Sequence, residues 1–539
     1  MSYVILWLAH LAWGLLLVAV VVALASRCKK PRWRKFWPIL AAIVIFVTFA
    51  AIATAGAFLL VFKLQPKWLF WYGLTHTIAY IIGTIIILKR GLKGINSESQ
   101  VGHFWPRARL AVAFSSVLFV YFVTLNFIDT RVMIDVSNLR TEATSKISQL
   151  IPPLLPDTFN AHTVYEQAAK SLSLRDEMRK WFKRIIGPDF DPASHELTRF
   201  LEKNKTVLAM VRQAASMPGY SLQVDSTNIL LSPIAQFSVY RDLARLLSIS
   251  ARCKALSGDL AGALHELAVI EGMAEHVQSF PDMISSMIAV ALYKTKVEGL
   301  EHVLASTADY PKGLIGLPVN AHPSSAKSFA KSLSFESKVY LQILTMYAIF
   351  PESLETKFAY VSIFNCVPVS TILVQLWRIF LLPSELNSAR DIDTYLSGEP
   401  SETYKDVHED LKAIEEAKES GDLGPFTYSG TPNFTFYMVR VMKCDALRGL
   451  SDLALAVTAF KADKGRYPDN LIDLVPDYIE QIPTDPFVGQ ALKMRPLDGG
   501  VDLYSVGPDP ELELPTCKGP IHFYLGRSAY QQYRIKPTK

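Results

Sequence analysis

The sequence predicts a mainly α chain: a four-helix transmembrane anchor, an α-helical outer domain and a small α+β unit near the C-terminal end. Three observations predict it. Four apolar runs long enough to span a bilayer crowd into residues 1–133. Apolar residues then recur at helical spacing from Val136 to Ser306. Later, two short runs of strand character flank the turn Asp498-Gly499-Gly500.

The apolar runs are Val4–Ser26, Trp37–Phe62, Leu69–Leu88 and Leu110–Ile128. The first has no positive charge before it and is too long for a signal-peptide core, so it is expected to remain as a span. Loop charge sets the orientation. Six basic residues lie in "RCKKPRWRK", and Lys89, Arg90, Lys93, Arg107 and Arg109 lie in the third loop. Positive loops stay in the cytoplasm, so the N-terminus and the chain after Ile128 are expected outside. Trp7, Trp33, Trp37, Trp68, Trp71 and Trp105 stand near the run ends, as interfacial anchors do.

Charge divides the chain. Residues 1–133 hold 14 Lys+Arg against 2 Asp+Glu; of the totals of 55 and 50, 41 and 48 remain for the rest. The basic residues cluster beside apolar runs, so the pI near 8.7 gives no support for nucleic-acid binding. The absence of mid-run Asp, Glu, Lys or Arg argues against an ion-coupled transporter. His10 and His76 fall at similar expected depth, six or seven residues inside the outer ends of the first and third runs. Such a pair either ligates a haem, or serves a quinone or proton site, or consists of two neutral imidazoles bonded to neighbouring helices.

The outer part divides into 134–306, a helical domain; 307–430, a connecting helical region; and 431–539, the α+β unit. "NAHTVYEQAAKSL", "SHELTRFLEKNKTVLAMVRQAASM" and "FSVYRDLARLLSISARCKALS" each carry an apolar face. In "ARCKALSGDLAGALHELAVIEGMAEHV" one helix ends at Ser257, Gly258-Asp259 turns the chain, and the next opens with small Ala261 and Ala263. The passage resembles one tetratricopeptide-type hairpin, and reads equally as an ordinary hairpin of a bundle. The Pro-, Gly- and Ser-rich residues 307–337 read as a connection. The apolar helix expected at 358–382 has spanning length, but holds Asn365, Pro368, Gln375 and Arg378. It reads either as a buried or membrane-lying helix or as a fifth crossing, which would put the remainder in the cytoplasm. "SETYKDVHEDLKAIEEAKESGD" reads as a solvated helix whose carboxylates, Glu402 to Glu416, form an exposed face.

The C-terminal unit is the most specific passage. A helix ends at Gly465 with Pro468 preventing its restart, short turns follow at Leu471, Leu474, Tyr478 and Ile482, and strands are expected at Ala491–Arg495 and Val501–Val506. Phe460, Lys464-Gly465-Arg466-Tyr467-Pro468, Tyr478-Ile479, Ile482-Pro483-Thr484-Asp485-Pro486 and Tyr504-Ser505-Val506-Gly507-Pro508-Asp509 occur in the order seen in the major pseudopilin of type II secretion systems. About sixty residues thus resemble that family's globular domain. The family's own N-terminal apolar helix and processing site are missing, so pilus assembly is not implied. Its calcium loop would begin at Asp509, but "PELELPTCKGP" offers only Glu511 and Glu513 as further donors, short of the six or more oxygens calcium takes.

The outer part also resembles multi-pass membrane proteins of planctomycete type, through Asn160, Ala161, Tyr165 and Ala168, the Gly-Asp hairpin and the terminal Gly-Arg-Tyr-Pro. The resemblance implies no activity. It suits an envelope location, and together with the loop charge gives a bacterial inner membrane with the N-terminus and the large C-terminal region on the periplasmic side. The five cysteines include no metal-binding pair. Cys444 and Cys517 are read as free thiols or as one disulfide. No GxSxG, HExxH or P-loop is present, and "SSAK" at Ser324–Lys327 lacks its companion motifs. The sequence therefore favours a non-enzymatic envelope scaffold, with the lipid bilayer and other envelope proteins as partners. The alternatives are a redox or cofactor-binding subunit using His10 and His76, and an envelope hydrolase.

Overall fold

Helices account for most of the fold because the apolar periodicity demands it. The computed structural model describes residues 127–535 apart from 174, 185–189, 228, 230–237, 308–324, 350–377, 379, 398–403, 421–426, 428–432 and 509–518. The four expected spans, His10, His76, most of the apolar stretch 358–382, Cys517 and Asp509 lie outside the described residues. Among the described residues no helix is long and apolar enough to cross a membrane. The mainly helical class therefore holds, and the described chain shows nothing of an anchor.

In chain order the helices are α1 (127–150), α2 (Ala161–Ser171), α3 (Arg175–Arg184), α4 (His195–Lys203), α5 (Lys205–Ala215), α6 (Ser238–Leu256), α7 (Leu260–Gln278), α8 (Met283–Ser306), α9 (Ser325–Ile349), α10 (Leu382–Leu396), α11 (Tyr404–Ser420) and α12 (Phe434–Lys464). Strands β1 (Lys493–Leu497), β2 (Gly500–Ser505) and β3 (Ile521–Leu525) form an antiparallel sheet in that order. The chain separates into two compact units. One comprises Leu139–Tyr347 with Ser384–Lys539, and the other Met1–Asn138 with Ala348–Pro383.

In the first of these, α6, α7 and α8 pack on one another and α8 packs on α12. The α6–α7 hairpin forms as expected: Gly258 takes φ 89°, and the Asp259 carboxylate caps α7 by accepting from Gly262 N at 2.8 Å. A Cβ on Gly299 of α8 would lie 2.8 Å from Leu267 Cδ2 and 3.0 Å from Ser248 Oγ, so the missing side chain lets three helices meet closely. The 31-residue α12 is buried on most sides, from Val439 and Val441 through Leu450, Leu453 and Ala454 to Phe460. Asn433 caps its start, and Gly465, at φ 73°, ends it by donating to Lys461 O at 2.9 Å.

One continuous core runs from Ile147 through Leu267, Leu300 and Leu453 to Leu503, Phe523 and Leu525. The helical part and the sheet therefore share a core. A second cluster joins Phe329 and Leu333 of α9 to Ile392, Leu411 and Met438.

Several sequence expectations need correction. Residues 325–337 belong to α9 rather than to a connection, because Ala326, Phe329, Leu333 and Phe335 form a buried stripe despite the serines. Helix α11 is not solvated all round: Val407, Leu411 and Ile414 are buried, Tyr404 Oη donates to Asp445 Oδ2 at 2.7 Å, and Glu415 accepts from Thr435 Oγ1 at 2.6 Å. β1 sits two residues later than expected, and β3 was not anticipated. Edge strand β1 tolerates Pro496, which pairs with Val501 in register. Of the two readings of Cys444, the free buried thiol is the one seen; Cys517 lies outside the described residues.

Gly299→Val should overpack the α6–α7–α8 contact and cost about 1–3 kcal/mol, read as a lower urea midpoint of the purified full chain with the slope unchanged.

Candidate functional site

The described residue cluster richest in chemistry-bearing groups is built on α2 and the segment 217–221. Asn160 caps α2: its Oδ1 accepts from His162 N at 3.1 Å. The same amide clamps Ser221, accepting from Ser221 N at 3.0 Å and donating through Nδ2 to Ser221 O at 2.9 Å. Ala161 N donates to Gly219 O at 2.9 Å. This clamp sets Tyr220 beside His162 and Tyr240, and Tyr165 beside His276 at the C-terminal end of α7.

The hydrogen bonds fix donor and acceptor roles. His276 Nε2 lies 3.0 Å from Met217 O, which only accepts, so Nε2 carries the proton. Nδ1 is then an acceptor, and Tyr165 Oη donates to it at 3.1 Å. Likewise, His162 Nε2 faces Glu166 Oε1 at 3.6 Å, leaving Nδ1 to accept from Tyr240 Oη at 3.0 Å. Tyr240 in turn accepts from Tyr220 Oη at 3.3 Å. The chain Tyr220, Tyr240, His162, Glu166 thus leads from buried phenols to a half-exposed carboxylate.

Burial keeps these groups neutral. It pushes the phenols of Tyr165, Tyr220 and Tyr240 up and the imidazoles of His162 and His276 down. Glu166 opposes the shift at His162, and the hydrogen bond to Met217 opposes it at His276. Neutral phenols and imidazoles can relay hydrogen bonds and hold segments in place. The acceptor nitrogens of both imidazoles, Nδ1 of His162 and of His276, are taken by Tyr240 and Tyr165.

Two carboxyls stand at the N-terminus of α8. Asp282 caps it through Ser285 N at 2.8 Å, and Glu336 Oε1 accepts from Met283 N at 2.9 Å. Burial raises both, and the Asp282 charge adds to the rise at Glu336, bringing it to about 7. Elsewhere, Lys338 Nζ donates to Ser334 Oγ (2.8 Å), Ser397 Oγ (2.6 Å) and Asp393 Oδ1 (3.1 Å). This looks like a Ser/Lys pair, and burial does lower the Lys338 ammonium. The Asp393 carboxylate opposes that shift and keeps the amine as a donor, so it is a poor proton acceptor for either serine. Asp502 is buried on β2 between Arg495 Nε (2.7 Å) and His522 Nδ1 (3.0 Å), a cross-strand pairing that orders the sheet face.

Of the residues singled out from sequence as ligands, His10, His76 and Asp509 lie outside the described residues. Among the described residues no group of three or more His, Cys, Asp or Glu is placed to hold a metal ion. The pattern Asn160, Ala161, Tyr165, Ala168 does converge, as clamp, packing surface and phenol donor. Sequence reasoning missed Tyr220, Tyr240, His276, Asp282 and Glu336. The available signal was polar residues at positions that periodicity assigns to a buried face, as His276 and Tyr240 are. No family model matches the chain, and no curated protein or solved structure matches it.

Tyr165→Phe removes the donor to a covered imidazole and should cost about 1–2 kcal/mol, measured by chemical denaturation at pH 7.5. Glu336 sets a pH dependence. Its folded carboxyl holds a proton up to about 7, whereas the unfolded one releases it near 4.5, so its contribution favours folding at low pH and is lost as pH rises between those values. Glu336→Gln keeps the acceptor and should remove that slope, making the variant more stable than the native chain at pH 8 but not at pH 4.

Proposed function

We propose that the chain is a membrane-anchored envelope protein whose outer domain, on the extracytoplasmic side, is a scaffold for other proteins. The observation that carries this reading is the single core joining the helical part to the sheet-bearing C-terminal unit. Such a body presents fixed surface residues at low ordering cost, which suits recognition. The reactive groups described above support the reading too, because they hold one another: Tyr165 with His276, Lys338 with Asp393, and Asp502 with Arg495 and His522. Glu266, wholly buried, is held by Arg212, Lys254 and Ser250.

The sequence contributes the rest: four apolar runs for the anchor, loop charge for the side, and the pseudopilin-like order of motifs for an envelope setting. Motif residues interlock here, since Asp485 Oδ2 accepts from Val506 N at 2.9 Å and Oδ1 from Phe487 N at 3.0 Å. Calcium at Asp509 and haem at His10 and His76 play no part in the proposal.

Leu154 and Phe159, 61% and 56% exposed, offer apolar contact area on the segment leading into α2. Photo-crosslinking from either position in living cells should yield discrete protein adducts. Adducts to lipid alone, or none, would contradict the scaffold reading.

A further inference from the structure

The apolar stretch Lys357–Pro383 left two topologies open: a fifth crossing, or a segment that stays on one side. The residues on either side of it decide between them. Leu139–Tyr347 precedes the stretch and Ser384–Lys539 follows it, and the two form one compact unit. Their joining is a packed interior. Leu300 and Val297 of α8 share a core with Leu450 and Leu453 of α12 and with Phe523 of β3. Met283, Phe329 and Leu333 share the second core with Ile392, Leu396, Val407 and Phe434.

Polar ties cross the same division. Lys338 pairs with Asp393 at 3.1 Å, and Ser337 Oγ donates to the same carboxylate at 2.5 Å. Tyr524 N donates to Glu301 Oε1 at 3.1 Å, Tyr530 bonds His302, and the Arg448 guanidinium lies 4.3 Å from the Tyr293 ring centre. Packed helices sit about 8–10 Å apart, whereas a bilayer interposes about 30 Å of hydrocarbon. No membrane can run between groups in such contact. The number of crossings between Tyr347 and Ser384 is therefore even. The apolar run has length for one span and not for two with a turn between them.

The other compact unit supplies an independent observation. Arg378, 1% exposed, donates through Nη2 to Ala348 O, thirty positions earlier. The chain thus returns to where it left, while a single span would hold its two ends a bilayer apart.

We infer that the chain makes no net crossing of a bilayer between Tyr347 and Ser384: Ser384–Lys539 lies on the same side as Leu139–Tyr347. The inference rests on the membrane-anchored reading for the existence of a bilayer, but not on which side the domain occupies. The protein then has an outer body stitched from two sequence-distant halves.

The test uses the full chain with one cysteine added at a time, Glu202→Cys before the stretch and Asp469→Cys after it, both highly exposed (70% and 86%). A membrane-impermeant maleimide is applied to spheroplasts before and after permeabilisation, with the native chain as background. Both positions are expected to label before permeabilisation. Labelling of both only afterwards would keep the inference and overturn the extracytoplasmic placement. Labelling of one before and the other only afterwards would overturn the inference.

Discussion

The packing of α8 against α12 is the constraint on which the rest of the structure depends. It closes the three-helix group formed with α6 and α7, and it brings in the sheet, because α12 and α8 both touch β3. Close approach makes it work. Gly299 removes bulk where α8 meets α7 and α6, and α12 is buried on most of its circumference. A helix of this burial draws most of its stability from tertiary contact. The two sequence halves on either side of the apolar stretch are thereby obliged to fold together.

That obligation explains why Asn204, Asn160 and Glu266, buried inside the fold, are each paired. An unpartnered polar group in a close-packed interior costs more than a hydrogen bond gains. Asn204, wholly buried between α4 and α5, resolves the break in the helical pattern by accepting from Ser173 N and donating to Phe200 O. Asn160 does the same for the segment 219–221. The Tyr–His chain beside it is neutral for the same reason, since burial penalises the charged form of either group. Groups that would be catalytic candidates elsewhere are here hydrogen-bonded to one another.

Much of the fold was legible. Gly258-Asp259 and Gly465 marked helix ends because left-handed backbone and Asp capping leave plain residue signatures. The helices α2, α6 and α7 followed from apolar spacing. What failed did so for physical reasons. Serines mask the buried stripe of α9, since Ser286 and Ser332 satisfy each other at 2.7 Å inside the fold. The charged face of α11 outweighed its buried Val407, Leu411 and Ile414 in the reading. β3 follows a stretch without strand character, and its partner β2 is set by pairing, which local sequence does not encode. The candidate site was half legible: Asn160 and Tyr165 stood out, but Tyr220, Tyr240 and His276 come from three other segments and meet only through tertiary structure.

The central claim, one core across both halves, is tested most directly by native-state hydrogen exchange on the full chain carrying Leu300→Ala in α8. Exchange senses which amides open together. The account predicts that amides of β2 and β3, such as Leu503 and Phe523, lose protection in step with those of α6 and α7. Acceleration confined to α6–α8, with the sheet and α12 still fully protected, would contradict it.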